Sequence, residues 1–280
     1  MTEIKTTKKL RDPNPEKEMS FWQHLEELRW HILRSVIAVV VLSIVAFMNR
    51  GLLFDDILLA PKDVNFITNQ WLCRLADILS TPALCFKDFS LNIVNLSMSG
   101  QFMIHMYISL AAGFLLAVPY VLWEIWRFVK PALKAKERRY SGGAVVIMSL
   151  LFFIGVLFSY FLIVPLTLNF LGSYQVSDMI QNQISLKSYL STVVSLTFAT
   201  GLVFELPAFV YFFSRIGIMT PDFMRKNRKY ALVLILIVAA IITPPDVFSQ
   251  TMVAIPLYGL YEISIFIAAR GYRQNQELAG

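Results

Sequence analysis

Six long runs of apolar residues constrain this sequence more than any other feature. They cover residues 31–48, 102–123, 142–165, 189–213, 230–242 and 247–269, and each is bounded by charged residues or by Pro and Gly. A helix needs about 20 apolar residues to cross the hydrocarbon core of a bilayer. The runs do not alternate between polar and apolar residues, as the strands of a membrane β-barrel do. The sequence therefore predicts an all-α membrane protein with six transmembrane helices.

The composition supports a membrane protein of a single domain. Hydrophobic residues make up 56% of the 280 residues and charged residues 16%, whereas soluble domains carry about 45–50% and about 25%. The 22 Phe outnumber the 19 Asp and Glu. These proportions exclude a collagen, a disordered tail and a disulfide scaffold. No linker or low-complexity tract interrupts the sequence, so we expect one integral membrane domain over residues 1–280.

The basic residues predict the orientation of the chain. Residues 1–34, 123–141, 214–229 and 269–280 hold 20 of the 25 Lys and Arg, and the loops between them hold 5. The positive-inside rule places the basic segments and both termini in the cytoplasm. Residues 1–30 then form a cytoplasmic amphipathic segment, residues 49–100 a long outer loop, and residues 270–280 a cytoplasmic tail.

The fifth run is the shortest. It holds 12 apolar residues, from 231 to 242, and a helix of that length covers only about 18 Å. Either the bilayer thins around it and flanking lysines extend to the interface, or the helix extends several residues beyond the apolar run.

Several acids lie at or near the predicted cytoplasmic surface. Glu27 lies on an amphipathic segment, close to His24 and His31 by helical spacing, and is either part of a surface ion pair or a carboxylate held for a cationic ligand. Glu137 is the one acid in a basic loop and is either a local ion-pair partner or a second ligand-binding acid. Phe128 is expected as an interfacial anchor. Glu124 and Glu262 are expected to reach the interface.

Glu205 lies inside the fourth run, two residues before Pro207. An acid at that depth costs about 2.5–3.5 kcal/mol on insertion scales. It therefore faces a cavity, a polar partner or another subunit, unless it reaches the interface. Pro207 cannot donate to a helical carbonyl and should kink the helix.

The predicted outer face carries a second group of polar residues. Asp246 lies in the turn between the last two runs, where it is suited to cap a helix N-terminus, and Gln250 follows one turn later. Cys73 and Cys85 lie in the long outer loop, where an oxidising compartment permits a disulfide. Two cysteines alone leave their pairing open.

Patterns for catalysis and for metal binding are missing from the sequence. It contains no Gly-x-Ser-x-Gly, no P-loop and no zinc-ligand spacing, and its three His do not cluster with the two Cys. We therefore expect no enzyme activity, no metal and no cofactor.

Four motifs together resemble the TatC family, the largest subunit of the twin-arginine protein translocase. The matching pieces are His24-Leu-Glu-Glu-Leu-Arg29, the loop from Phe128-Val-Lys-Pro-Ala-Leu133 to Glu137-Arg-Arg139, Phe204-Glu205-Leu-Pro207, and Thr243-Pro-Pro-Asp-Val-Phe-Ser-Gln250 followed by Ala254-Ile-Pro256. They occur in order over residues 20–269. The outer loop is longer than we expect for the family, and its residues 62–89 match no family motif and stay unassigned.

The resemblance implies roles for individual residues. Glu27 and Glu137 match the acids that recognise the arginine pair of the signal peptide, and Arg29 and Phe128 match other positions at that surface. Glu205 matches an intramembrane acid of the family. The residues that match the family's outer cap and assembly region are Pro61, Asp246 and Gln250.

The resemblance also implies an architecture and partners. The expected bundle is concave and glove-like, with short fifth and sixth helices, in the bacterial inner membrane with a periplasmic outer loop. It is expected to export folded proteins with single-span partner subunits of the TatA and TatB type, to self-associate, and to use the proton-motive force without nucleotide or nucleic acid.

Two other functions remain as alternatives from the residues alone. A proton- or ion-coupled solute transporter using Glu205 would need a second midplane polar group and repeat symmetry, neither of which is visible. An intramembrane enzyme would need a nucleophile and base, or paired acids, at depth.

Overall fold

The computed structural model describes residues 21–63, 65–79, 92–130, 143–177, 179, 182–215, 217–243 and 247–279. Three residues with predicted roles, Glu137, Cys85 and Asp246, lie outside these ranges.

The protein is mostly helical, as predicted. The helices are α1 (Phe21–Met48), α2 (Ile67–Leu79), α3 (Gly100–Val129), α4 (Ala144–Phe158), α5 (Val164–Ser173), α6 (Leu186–Val203), α7 (Leu206–Arg215), α8 (Pro221–Lys226), α9 (Arg228–Ile242) and α10 (Val247–Ala279). A π-helical segment (Ser159–Ile163) joins α4 to α5, and another (Leu52–Leu58) with a 3-10 turn (Ala60–Lys62) follows α1. Two short strands, β1 (Ile93–Val94) and β2 (Ile184–Ser185), pair in parallel.

Five helical stretches in the described part of the chain are long and apolar enough to cross a membrane. They are Leu25–Met48, Gly100–Val129, Ala144–Ser173, Leu186–Ser214 and Gln250–Arg273. Each overlaps one of the predicted runs. The remaining run forms α9, which has 15 residues and covers about 22 Å. The fifth helix is therefore short, although it extends three residues beyond the apolar run at its start.

The expectation of a short sixth helix is wrong. Helix α10 has 33 residues and continues to Ala279, because the polar residues after its apolar stretch include Arg, Gln and Glu, which favour helix. Most of the predicted tail, residues 270–280, is therefore helical.

The unassigned part of the outer loop contains a helix that the sequence analysis missed. Helix α2 occupies residues 67–79. Its apolar residues recur three and four positions apart, which is the usual signal of an amphipathic helix. Buried Asn69 accepts a hydrogen bond at 3.2 Å from the side-chain amide of Asn169 on α5, so α2 is attached to the second half of the third stretch, residues 144–173.

Small residues set the closest helix contacts. Helix α1 packs mainly on α3, and α4 packs on α6. A Cβ at Gly113 of α3 would lie 2.1 Å from the Ser43 Oγ of α1. A Cβ at Gly155 of α4 would lie 3.0 Å from the Gly201 Cα of α6. Only glycine permits these approaches, which are typical of helices that associate in lipid.

Many large apolar side chains are exposed, as expected for helices surrounded by lipid. On α1 alone, Val36, Val40 and Ile44 are about half exposed. Contiguous apolar surface of this extent is rare on soluble monomers, so the outward faces of the bundle agree with the membrane class predicted from composition.

The described contacts define two ends of the bundle. The first, which we call the basic end, contains the start of α1, the end of α3 and the basic segment 225–229. At this end Trp126 of α3 packs edge-on against Phe212 of α7, with 6.1 Å between ring centroids. At the opposite end, the Tyr189 hydroxyl donates to the Leu58 carbonyl at 2.9 Å. The described residues 21–34, 123–130, 217–229 and 269–273 of the predicted cytoplasmic segments thus lie at one end.

Candidate functional site

An open cleft of about 380 Å³ lies at the basic end between α1 and α3. It is lined by Glu27, Trp30, His31 and Arg34 of α1 and by Arg127 of α3. The four α1 residues share a helical face because they are spaced three and four positions apart. The amphipathic segment predicted at the start of the chain thus forms one wall of the cleft.

Glu27 has an oxygen that is enclosed but has no hydrogen-bond partner. The side chain is half-buried, and no described residue donates to Oε2. A buried carboxylate oxygen without a donor costs free energy. The cleft therefore presents an acceptor that a ligand with N–H groups can satisfy, which favours the ligand-binding interpretation of Glu27 over the surface ion pair.

A buried polar cluster forms the floor of the cleft. The Nδ1 of His31 is hydrogen-bonded to Oε2 of Glu124 on α3. The Tyr120 hydroxyl donates to Oε1 of Glu124 at 3.1 Å. The ring of Phe128 lies edge-on to His31, with centroids 6.1 Å apart. Phe128 therefore contacts the cleft through His31, which lines it.

The position of Glu124 corrects the expectation that this acid reaches the interface. It is only 1% exposed, and each of its carboxylate oxygens is hydrogen-bonded, one to His31 and the other to Tyr120. Tyr120 and Glu124 are one helical turn apart in the sequence, and this spacing indicates that the tyrosine hydroxyl can hydrogen-bond to the acid. Nothing in the sequence pointed to His31 as the partner on α1.

Cations also line the cleft. Arg34 lies on the same α1 wall as Glu27, and Arg127 lines the cleft from α3, while the buried Glu124 is hydrogen-bonded to His31. The guanidinium carbon of Arg127 lies 5.6 Å from the centroid of the Trp123 ring, so this arginine is stacked on its own helix. Arg29 is exposed and does not line the cleft.

Glu205 lies away from the cleft, at a break between two helices. Phe204 and Glu205 form a turn between α6 and α7, and Pro207 follows as the second residue of α7. The break agrees with the kink predicted for this proline. The Glu205 side chain is 3% exposed, and neither of its carboxylate oxygens has a hydrogen-bond partner among the described residues.

The residues predicted for the outer cap are distributed over the opposite end. Pro61 is buried in the 3-10 turn after α1. The Gln250 side chain donates to the Leu236 carbonyl at 3.0 Å and so joins α10 to α9. Cys73, on α2, is disulfide-bonded rather than a free thiol. Because Cys85 lies outside the described residues, the pairing of these two cysteines stays a prediction.

Comparison with known proteins gives consistent similarities. The family model of the Sec-independent protein translocase protein (TatC) matches residues 23–256. A Sec-independent protein translocase protein TatC from Blattabacterium sp. subsp. Periplaneta americana is 38% identical over 257 residues, which is 91% of this chain and 97% of the relative. The Escherichia coli protein of that name is 34% identical over 88% of this chain and 86% of its own length.

A solved structure shares the fold. A crystal structure of the twin-arginine translocase receptor TatC in DDM superimposes with a TM-score of 0.70 at 34% identity, covering 88% of this chain and 99% of that one.

Proposed function

The chain belongs to the TatC family of Sec-independent protein translocase proteins, and we propose that it binds twin-arginine signal peptides at the cleft between α1 and α3. With single-span partner subunits of the TatA and TatB type, it then exports the folded precursors that carry those peptides. Membership in a family of translocase components also disfavours the alternative of a solute transporter using Glu205.

The observation that carries the proposal is the unsatisfied Oε2 of Glu27 inside the cleft. A guanidinium group is planar and presents several N–H donors in a fixed fork, which matches a carboxylate geometrically. A bound arginine therefore supplies the donor that no described side chain provides.

Glu137 is proposed as the second acid of the same site. It follows the last residue of α3, Val129, by eight positions, a length that spans at most about 27 Å. Arg127, two residues before the end of α3, lines the cleft. The loop after α3 thus starts beside the cleft, and Glu137 is within reach of a peptide bound there. Two acids would then serve the two arginines.

We propose that the basic end faces the cytoplasm of a bacterium. The chain then crosses the inner membrane six times, with both termini inside and the outer loop in the periplasm. The concentration of Lys and Arg in the segments at this end supports that orientation. The 15-residue α9 requires local thinning of the bilayer or extension of Lys229, in its first turn, toward the interface.

Glu205 is proposed as a residue for coupling or for contact with a partner subunit during export. Its two unpartnered oxygens can be satisfied by a polar group of another subunit or by water that enters on assembly. Export driven by the proton-motive force needs no nucleotide, in agreement with the missing P-loop motif.

The experiment that tests the proposal measures binding of a labelled twin-arginine signal peptide to the full chain in lipid nanodiscs. We expect the wild type to prefer this peptide to one with two lysines. Glu27→Gln keeps the size of the side chain but removes its charge, and we expect it to weaken binding by roughly tenfold, as for a partly desolvated charge pair.

Glu26→Gln is the matched control, because Glu26 is the exposed neighbour and does not line the cleft. It should bind like the wild type. Equal losses in both variants, or equal binding of the two peptides by the wild type, would reject the cleft as the recognition site.

A further inference from the structure

Trp30 is the aromatic residue that lines the cleft on α1, three positions after Glu27. Its side chain is 52% exposed, and a peptide bound in the cleft would cover it. Residues three apart on a helix have Cβ atoms about 5–6 Å from each other. The indole and the unpartnered Glu27 oxygen are therefore close enough to contact one ligand group.

The charges of the cleft show why a cationic ligand needs more than the carboxylate. Its described lining residues include one Glu, Glu27, and two Arg, Arg34 and Arg127. Glu124 is buried beneath them and bonded to His31. These described charges by themselves give no net attraction for a peptide with two positive side chains, so short-range contacts must contribute to its retention.

The other tryptophans with described side chains at this end already have ring or cation contacts. The indole of Trp123 lies under the Arg127 guanidinium, 5.6 Å from its carbon to the ring centroid. Trp126 packs against Phe212. No described residue makes a ring contact or a cation contact with the indole of Trp30. The Arg127–Trp123 pair also shows, in this molecule, the geometry in which a guanidinium stacks on an indole.

We propose that Trp30 is a specificity-determining residue for the arginines of the signal peptide. Its indole stacks against the guanidinium of one arginine while the Glu27 carboxylate accepts hydrogen bonds from that group. A guanidinium is planar and weakly hydrated, so it stacks and donates at once, whereas a lysine ammonium is a compact, strongly hydrated charge that does both poorly. This inference rests on the proposed function of the cleft.

The test compares two labelled peptides that differ only in having two arginines or two lysines. Their affinities are measured by fluorescence anisotropy with the full chain in nanodiscs. We expect Trp30→Leu to weaken binding of the twin-arginine peptide by about threefold to tenfold, in the range of a partly desolvated cation–π contact. Binding of the twin-lysine peptide should change by less than about twofold. The affinity of Trp30→Phe for the twin-arginine peptide should lie between those of the wild type and Trp30→Leu, because a phenyl ring binds a cation more weakly than an indole does.

Trp71→Leu is the control for removal of an exposed indole, since Trp71 is 61% exposed on α2 at the opposite end. It should leave both affinities unchanged. If Trp30→Leu weakens both peptides equally, or leaves the twin-arginine affinity unchanged, the inference about Trp30 is overturned while the proposed function stands. A wild-type chain that does not distinguish the peptides overturns both.

Discussion

His31 on α1 and Glu124 on α3 are hydrogen-bonded to each other although 93 positions separate them in the sequence. Their side chains are 7% and 1% exposed. Glu27 precedes His31 by about one helical turn, Trp30 is its immediate neighbour in the chain, and Arg127 follows Glu124 by about one turn. This buried contact therefore helps to fix the rotation of the two helices that form the walls of the cleft, together with the close packing of Gly113 on Ser43.

The first prediction concerns the energy of this contact. Removing one partner leaves the other buried and unpaired, so His31→Ala and Glu124→Ala should each lower the free energy of unfolding in detergent. The double variant should be less destabilised than the sum of the two. We expect a coupling energy of about 1–2 kcal/mol, toward the upper end of the values measured for polar pairs in membrane proteins.

Ser35→Ala provides the control for that cycle. The Ser35 hydroxyl donates to the His31 carbonyl of its own helix at 2.9 Å, so it makes no contribution to the pair between α1 and α3. Its effect should add to that of Glu124→Ala. Additive effects of His31→Ala and Glu124→Ala would show that the two side chains are not energetically coupled.

The second prediction concerns Glu205. Because both of its oxygens are buried without partners among the described residues, Glu205→Gln should raise the free energy of unfolding by about 1 kcal/mol. Signal-peptide binding should stay normal while export falls. Glu262→Gln is the contrasting control: it breaks a 2.7 Å pair with Arg228 at a partly exposed place and should lower stability by about 0–1 kcal/mol. A destabilised Glu205→Gln protein with full export activity would refute the proposed role.

The third prediction tests the close approach of α1 and α3. A Cβ at Gly113 would lie 2.5 Å from the backbone nitrogen of Ser43, so Gly113→Ala must separate the two helices. We expect a loss of about 1–3 kcal/mol in the free energy of unfolding. At Gly259, within α10, a Cβ would meet no described atom within 4 Å apart from its chain neighbours and the backbone of its own helix, so Gly259→Ala should stabilise the protein by about 0.5–1 kcal/mol. The two variants are compared by thermal unfolding in the same detergent. Similar unfolding midpoints would argue against the close approach of α1 and α3 at Gly113.

The fourth prediction concerns the outer loop. Cys73 is not a free thiol, and the sequence contains one other cysteine, Cys85. Unreduced membranes should therefore show no alkylation of the protein by a maleimide, and two alkylated thiols after reduction. Cys73→Ser should expose Cys85 to alkylation without reductant. Labelling of unreduced wild-type protein at both positions would exclude the pairing.

The fifth prediction concerns orientation. In a background with both cysteines replaced by Ser, single cysteines are introduced at Lys226 of α8 and at Val176, which is 83% exposed between α5 and β2. A thiol reagent that cannot cross the inner membrane should label Val176→Cys in intact cells. It should label Lys226→Cys only after that membrane is permeabilised. The reverse pattern would invert the topology inferred from the basic residues.

The large elements were predictable because they depend on local sequence. The apolar runs predicted the stretches that are long enough to cross a bilayer. Pro207 predicted the break before α7, and the run of 12 apolar residues predicted the short α9. Helix α2 was missed although its amphipathic pattern was present, and the length of α10 was misjudged because its last residues are polar yet favour helix. Both errors come from equating helices with apolar runs.

The candidate site was predictable only in part. Glu27 and Phe128 were identified from motifs, and the structure places the first in the cleft and the second against His31. Glu124 was assigned to the interface but is buried. Arg29 was expected at the recognition surface, and although exposed it does not line the cleft.

The sequence by itself determined the membrane class, the helical character, the apolar stretches and the grouping of basic segments, because these follow from composition and from residues close together in the chain. Only the tertiary structure decided that His31 meets Glu124, that Gln250 reaches the Leu236 carbonyl, and that Glu205 has no described partner. In a bilayer the surroundings of the protein are as apolar as its interior. Hydropathy therefore does not show which face of a helix packs inward, and the rotation of each helix, on which every one of these contacts depends, is set by packing between distant parts of the chain.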